Sequence, residues 1–84
     1  MTAAELGRRF AERLREVRTA RGLSQERLAL AAHLHTQTVS KIEKRQRMVS
    51  IGEAIILASA LDVDLQQLVA DEPLDVQAAP GGVR

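Results

Sequence analysis

The sequence predicts an all-α fold of five short helices in one domain. Apolar residues recur three and four apart in successive short runs, the spacing of one helix face. Each run is bounded by residues that start or stop helices, among them Gly22, Ser24, Ser50, Asp64 and Pro73. The size agrees: 84 residues, 45% of them apolar, make a single core near the lower limit at which a fold stands without staples. There is no cysteine to supply a disulfide or a thiolate metal site. Phe10 is the sole aromatic, so aliphatic helix packing must supply the core.

Leu6, Phe10, Leu14 and Val17 form the first stripe, predicting a helix over 3–21 that buries all four and is closed by Gly22. Ser24 precedes Leu28, Ala29 and Ala32 and can cap a second helix over 25–32. Val39 and Ile42 require a third helix at another angle, over 36–44, with Leu34 as the apolar plug of the turn between. Residues 44–49 read as a loop. Ser50 with Glu53 three later is a capping box for a fourth helix running to Leu61, with Ile51, Ala54, Ile55, Ala58 and Leu61 expected inward. Asp64 caps a short fifth helix over 65–70, and Pro73 ends the domain, leaving 73–84 as an expected disordered tail beyond a domain of residues 1–72.

The charge is divided. Residues 1–47 carry eleven Lys and Arg against five Glu, whereas residues 48–84 carry one Arg against six acids. A basic half that coincides with the second and third helices predicts one surface facing phosphates and another facing protein or solvent. On the third helix, inward Val39 and Ile42 leave Thr36, Gln37, Ser40, Lys41 and Lys44 outward, a set of donors suited to base edges and phosphates.

The order Leu14-Arg15, Val17-Arg18, Arg21 to Gln25, Leu28-Ala29, Leu34, Thr38 to Glu43, then Ala58, Leu61, Val63 and Leu68 resembles the Cro/CI-type (XRE) helix-turn-helix family of DNA-binding regulators over residues 10–69. The resemblance implies a compact five-helix, lambda-repressor-like domain with the helix-turn-helix at helices two and three. It implies a homodimer whose third helix enters the major groove. Where the family usually has Gly, this chain has His33 and Arg45. It also has His35 for a small polar residue and Val49 where Pro is common. A turn position of positive φ holds His at a cost of about 1 kcal/mol.

Roles follow by position. Thr36, Gln37, Ser40 and Lys41 are the expected base contacts, with Gln37 suited to an adenine edge and Lys41 to guanine. Gln25, His35, Thr38, Lys44, Arg45 and Arg47 are the expected phosphate contacts, Gln25 through its side chain and a free amide at a helix start. His35 is also read as a cap of the third helix. Arg18 and Glu43 form, by the resemblance, a partly buried ion pair that orients the reading helix. The remaining first-helix arginines are expected mostly in solvated pairs with Glu5, Glu12 and Glu16. Surplus apolar surface at Ile56, Ala60, Val63, Leu65 and Val69 is the expected dimer interface.

Other classes are disfavoured. His33 and His35, two apart with no further ligands, are too few for zinc, and no cofactor is expected. No nucleophile with an adjacent base, paired carboxylates or phosphate loop points to an enzyme. With no long apolar run, neither a membrane nor export is expected, and the location is read as cytoplasmic. The sequence therefore predicts a dimeric regulator, a repressor by preference, on an inverted-repeat operator of double-stranded DNA. The alternative is an antitoxin-like or adaptor protein that binds another polypeptide.

Overall fold

The computed structural model describes residues 2–70. The expected tail, and the boundary drawn for it at residue 72, lie outside the described residues. Five helices follow one another: α1 (Ala3–Ala20), α2 (Gln25–Ala32), α3 (Thr36–Glu43), α4 (Ile51–Ala60) and α5 (Leu65–Val69). α1 packs on α3 and α5, α2 on α3 and α4, and α4 on α5. Every helix end lies within one residue of expectation.

Local chemistry sets those ends. Thr2 and Ser50 each accept the amide three residues on, from Glu5 and Glu53, whose carboxylates return to the Thr2 and Ser50 amides. Ser24 Oγ accepts the Arg27 amide at 3.0 Å, and the Asp64 amide donates to Gln67 Oε1 at 2.9 Å. α1 to α4 also stop alike: Gly22, His33, Arg45 and Asp62 take φ of 71°, 58°, 61° and 59°. Each of the four donates its amide to the carbonyl three residues back, and the next residue's amide reaches the carbonyl five back, as in Leu23 to Arg18, Leu34 to Ala29, Gln46 to Lys41 and Val63 to Ala58. This is the Schellman motif, which satisfies carbonyls that the helix leaves open. Leu23, Leu34 and Val63 complete it by packing against the core, whereas Gln46 is exposed.

Phe10, Leu14 and Val17 of α1 meet Leu28, Ala29 and Ala32 of α2, Val39 and Ile42 of α3, Ala54, Leu57, Ala58 and Leu61 of the α4 segment, and Leu68 of α5. Two expectations are corrected. Leu6 is 39% exposed, because the first turns of α1 border an open groove shared with Met48 and Ile51. On α4 the inward set is Ala54, Leu57, Ala58 and Leu61, while Ile51 and Ile55 are 76% and 54% exposed. The run Ile51–Leu57 is apolar on nearly every side, so its periodicity does not say which face α2 and α5 cover.

Arg9 and Arg13 were expected among solvated pairs. They also donate to the Val69 and Ala70 carbonyls, at 3.4 and 3.3 Å, joining the first helix to the end of the last. Open carbonyls at a helix C-terminus attract cations.

Candidate nucleic-acid interface

The rotation of α3 is fixed by Val39 and Ile42, which are 0% and 2% exposed. On the opposite side Thr36, Gln37 and Lys41 are exposed and Ser40 is half-buried, so the four expected base contacts share one face. Thr38 is half-buried at its edge, and Lys44 and Arg45 are exposed just beyond the helix. At the end of α3 the carbonyls of Ser40, Ile42 and Lys41 accept the amides of Lys44, Arg45 and Gln46.

Glu43 is the one acid of α3, and it is turned away from that face, its side chain 3% exposed. Arg18 grips it with both prongs of its guanidinium, Nε to Oε2 at 2.7 Å and Nη2 to Oε1 at 3.0 Å. The remaining Arg18 nitrogen, Nη1, donates to the Leu23 carbonyl at 2.8 Å. Gln25 Nε2 adds a third donor to Glu43, at 3.0 Å from Oε1. One cluster thus joins α1, the link after it, the start of α2 and the end of α3. Bidentate Arg–carboxylate geometry gives direction as well as attraction, so α3 is held at a set angle. The sequence predicts Arg18 with Glu43 and gives the Gln25 side chain to phosphate; that side chain instead donates to Glu43, while its helix-start position is as expected.

The two histidines separate. His33 holds the left-handed position between α2 and α3, as its place in the turn implied. His35 begins α3 in extended backbone with no side-chain capping bond, which corrects the capping role read for it. A short Ser or Asp oxygen reaches the first-turn amides; an imidazole is poorly matched to that reach. Its ring stays exposed beside Thr36.

In the loop after α3, Arg47 lies in a fork-to-fork pair with Glu53, Nη1 to Oε1 at 2.8 Å and Nη2 to Oε2 at 2.7 Å. Arg47, then the Ser50 amide, hold the Glu53 carboxyl down at about 2, and Glu53 raises the Arg47 guanidinium in turn. Glu53 was legible as the closing residue of the Ser50 box, but its partner six residues upstream was not. Of the expected interface set, Ile56 is 43% exposed, while Ala60, Val63, Leu65 and Val69 are half-buried against the protein's own core.

Among the described residues, no three His, Cys, Asp or Glu side chains gather as a metal site. No helix among them is long and apolar enough to cross a membrane.

A short helix locked across another, with an acid-free outward face, defines a helix-turn-helix DNA-binding protein. Residues 14–68 match the helix-turn-helix family model. The chain belongs to that family, in its Cro/CI-type (XRE) branch, and is a DNA-binding transcriptional regulator. It is similar to the control protein C.SmaI of Serratia marcescens, 36% identical over 65 residues that cover 77% of each chain. Among solved structures it resembles the restriction-modification controller protein C.AhdI of Aeromonas hydrophila, at 45% identity and a TM-score of 0.71 over 74% of this chain and 94% of that one. It also resembles the hypothetical transcription factor NHTF from Neisseria, at 29% identity and a TM-score of 0.75 over 82% and 79%.

Proposed function

We propose that the protein is a dimeric, cytoplasmic repressor that binds an inverted repeat and controls genes of a restriction-modification system. The observation that carries DNA reading by α3 is the inward burial of Glu43, which clears the helix of negative charge on the side bearing Thr36, Gln37, Ser40 and Lys41. Gln37 pairs with an adenine edge and Lys41 with guanine, flanked by Thr36 and Ser40. Lys44, Arg45, Thr38, His35 and the Gln25 amide meet the sugar-phosphate backbone and supply affinity and salt sensitivity. The two control-protein relatives support the restriction-modification assignment.

Two copies are needed to read an inverted repeat, and twofold pairing sets the reading helices about 34 Å apart. The surface that favours such pairing is the exposed side of α4, where Ile51, Ile55 and Ile56 stand out together. On this reading the centre of the interface lies earlier on α4 than the expected set of Ile56, Ala60, Val63, Leu65 and Val69.

Selection of bound duplexes from random DNA tests the whole reading. It is expected to enrich two half-sites in inverted order with centres one helical turn apart, and enrichment is lost in the Gln37→Ala/Lys41→Ala variant. A single unpaired half-site would overturn the dimer. No enriched sequence, with a stoichiometric complex formed instead with a neighbour-encoded protein, would favour the adaptor.

A further inference from the structure

We infer that Arg47 and Glu53 are positioning residues for DNA binding: their ion pair fixes the loop after the reading helix so that Lys44 and Arg45 are presented to the DNA backbone. This rests on the reading above that Lys44 and Arg45 meet phosphates. Three observations converge on it.

The first is the odd helix end. Of the four Schellman motifs, three are anchored by an apolar residue packed on the core, Leu23, Leu34 and Val63. The motif that ends α3 has exposed Gln46 in that place, so its turn lacks the hydrophobic contact that usually accompanies it. The second is the ground beneath. Behind the loop lies an open groove of about 550 Å³, bordered by Glu5, Arg8, Ile42, Arg45 and Met48. Residues 44–48 are all exposed, Met48 at 67%, and the loop meets the core again only at Val49.

The third is the fork itself. Both terminal nitrogens of Arg47 are spent on one carboxylate, at 2.8 and 2.7 Å. The same carboxylate accepts the Ser50 amide at 3.0 Å. The pair thus fastens the loop to the first turn of α4, which the core holds through Ala54 and Leu57. Arg47 bridges to protein where the neighbouring cations, Lys44 and Arg45, point to solvent. To touch a phosphate with the same nitrogens it would have to give up this geometry.

The test compares wild type with Glu53→Gln, Arg47→Lys and Arg47→Ala on one selected operator across a series of KCl concentrations. Gln can still serve in the capping box, so Glu53→Gln removes the ion pair and keeps the start of α4. Lys keeps the charge of Arg47 and loses the two-pronged fit. All three variants are expected to bind about two- to fivefold more weakly per half-site, the range an exposed pair can supply, with the slope of log Kd against log salt unchanged. Without DNA, trypsin is expected to cut after Lys44 and Arg45 faster in Glu53→Gln than in wild type.

If Arg47 itself neutralises a phosphate, Arg47→Ala lowers the slope by about 0.9 per half-site while Arg47→Lys keeps its affinity. If Glu53 holds Arg47 back from the DNA, Glu53→Gln binds more tightly. Either result overturns the inference, as do unchanged affinities or equal cleavage rates. A wild type that selects no operator would instead overturn the reading of the interface, and the cleavage rates would still decide whether the pair fixes the loop.

Discussion

Replacing Glu43 by Ala strikes the cluster that orients the reading helix, and its magnitude follows from the contacts. Three donors lose their acceptor: Arg18 Nε, Arg18 Nη2 and Gln25 Nε2. Arg18, its side chain 11% exposed, keeps the Leu23 carbonyl as its partner and retains a charge removed from water. Stranding one member of a buried pair costs about 3–5 kcal/mol. A domain of this size is stable by roughly 4–10 kcal/mol. Glu43→Ala is therefore expected to remove about half of the stability and to lower the melting temperature by roughly 15–35 °C. The assay is urea unfolding followed by far-ultraviolet circular dichroism, since a chain without Trp or Tyr offers no useful fluorescence. Arg18→Met/Glu43→Leu removes both charges together and is expected to recover most of the loss, because apolar replacement of a whole buried pair is often neutral. A loss below about 1 kcal/mol in Glu43→Ala, the worth of an exposed pair, would refute the reasoning. So would simple additivity of the two single substitutions, which would mean that Arg18 and Glu43 are not coupled.

Arg45→Gly is expected to raise stability by about 0.5–1 kcal/mol, by relieving the left-handed backbone, and to weaken DNA binding with a shallower salt slope; thermal melts and salt titrations of the same preparation check both signs. The acid limb of stability carries a mark of Glu53. Its carboxyl falls from 4.5 to about 2 on folding, so this contribution is complete above about pH 4.5 and is lost as the pH drops toward 2. Glu53→Gln should flatten the unfolding midpoint over that window, and a midpoint that still falls equally steeply would assign the limb to other carboxylates. Ile55→Glu, at a side chain 54% exposed, is expected to leave the fold intact and make the protein monomeric in sedimentation at micromolar concentration; a persisting dimer would move the interface elsewhere.

What the sequence made legible was whatever local chemistry decides. Ser24 before an apolar run, the Ser50–Glu53 box and Gly22 mark helix ends because a cap acts over three or four residues. The Thr2–Glu5 box carries the same signal. The face of α3 was legible because only two of its residues, Val39 and Ile42, are strongly apolar. α4 was harder for the opposite reason. Ile51, Ile55, Ile56 and Leu57 offer several apolar faces, and only contact with α2 and α5 selects Leu57 for the core. Leu6 keeps the period of the α1 stripe, yet the packing stops short of it. At the site, the resemblance carried Arg18 and Glu43, whereas the Gln25 and Arg47 bonds depend on side-chain reach between elements, which spacing along the chain does not encode.

The arginine bonds from α1 to the Val69 and Ala70 carbonyls bear on the order in which the molecule comes apart. At five residues α5 is far too short to persist alone, so it survives on Leu68, fully buried, and on guanidinium groups sixty and fifty-seven positions away in the chain. It is the element expected to open first, and amide exchange over 65–69 should be the fastest of any helix. Opening there uncovers Phe10 and Ala54, which border one groove with Leu65 and Val69, while the cluster of Arg18, Gln25 and Glu43, built on α1, α2 and α3, stays closed. The protein can thus breathe at its last helix while the reading helix keeps its angle.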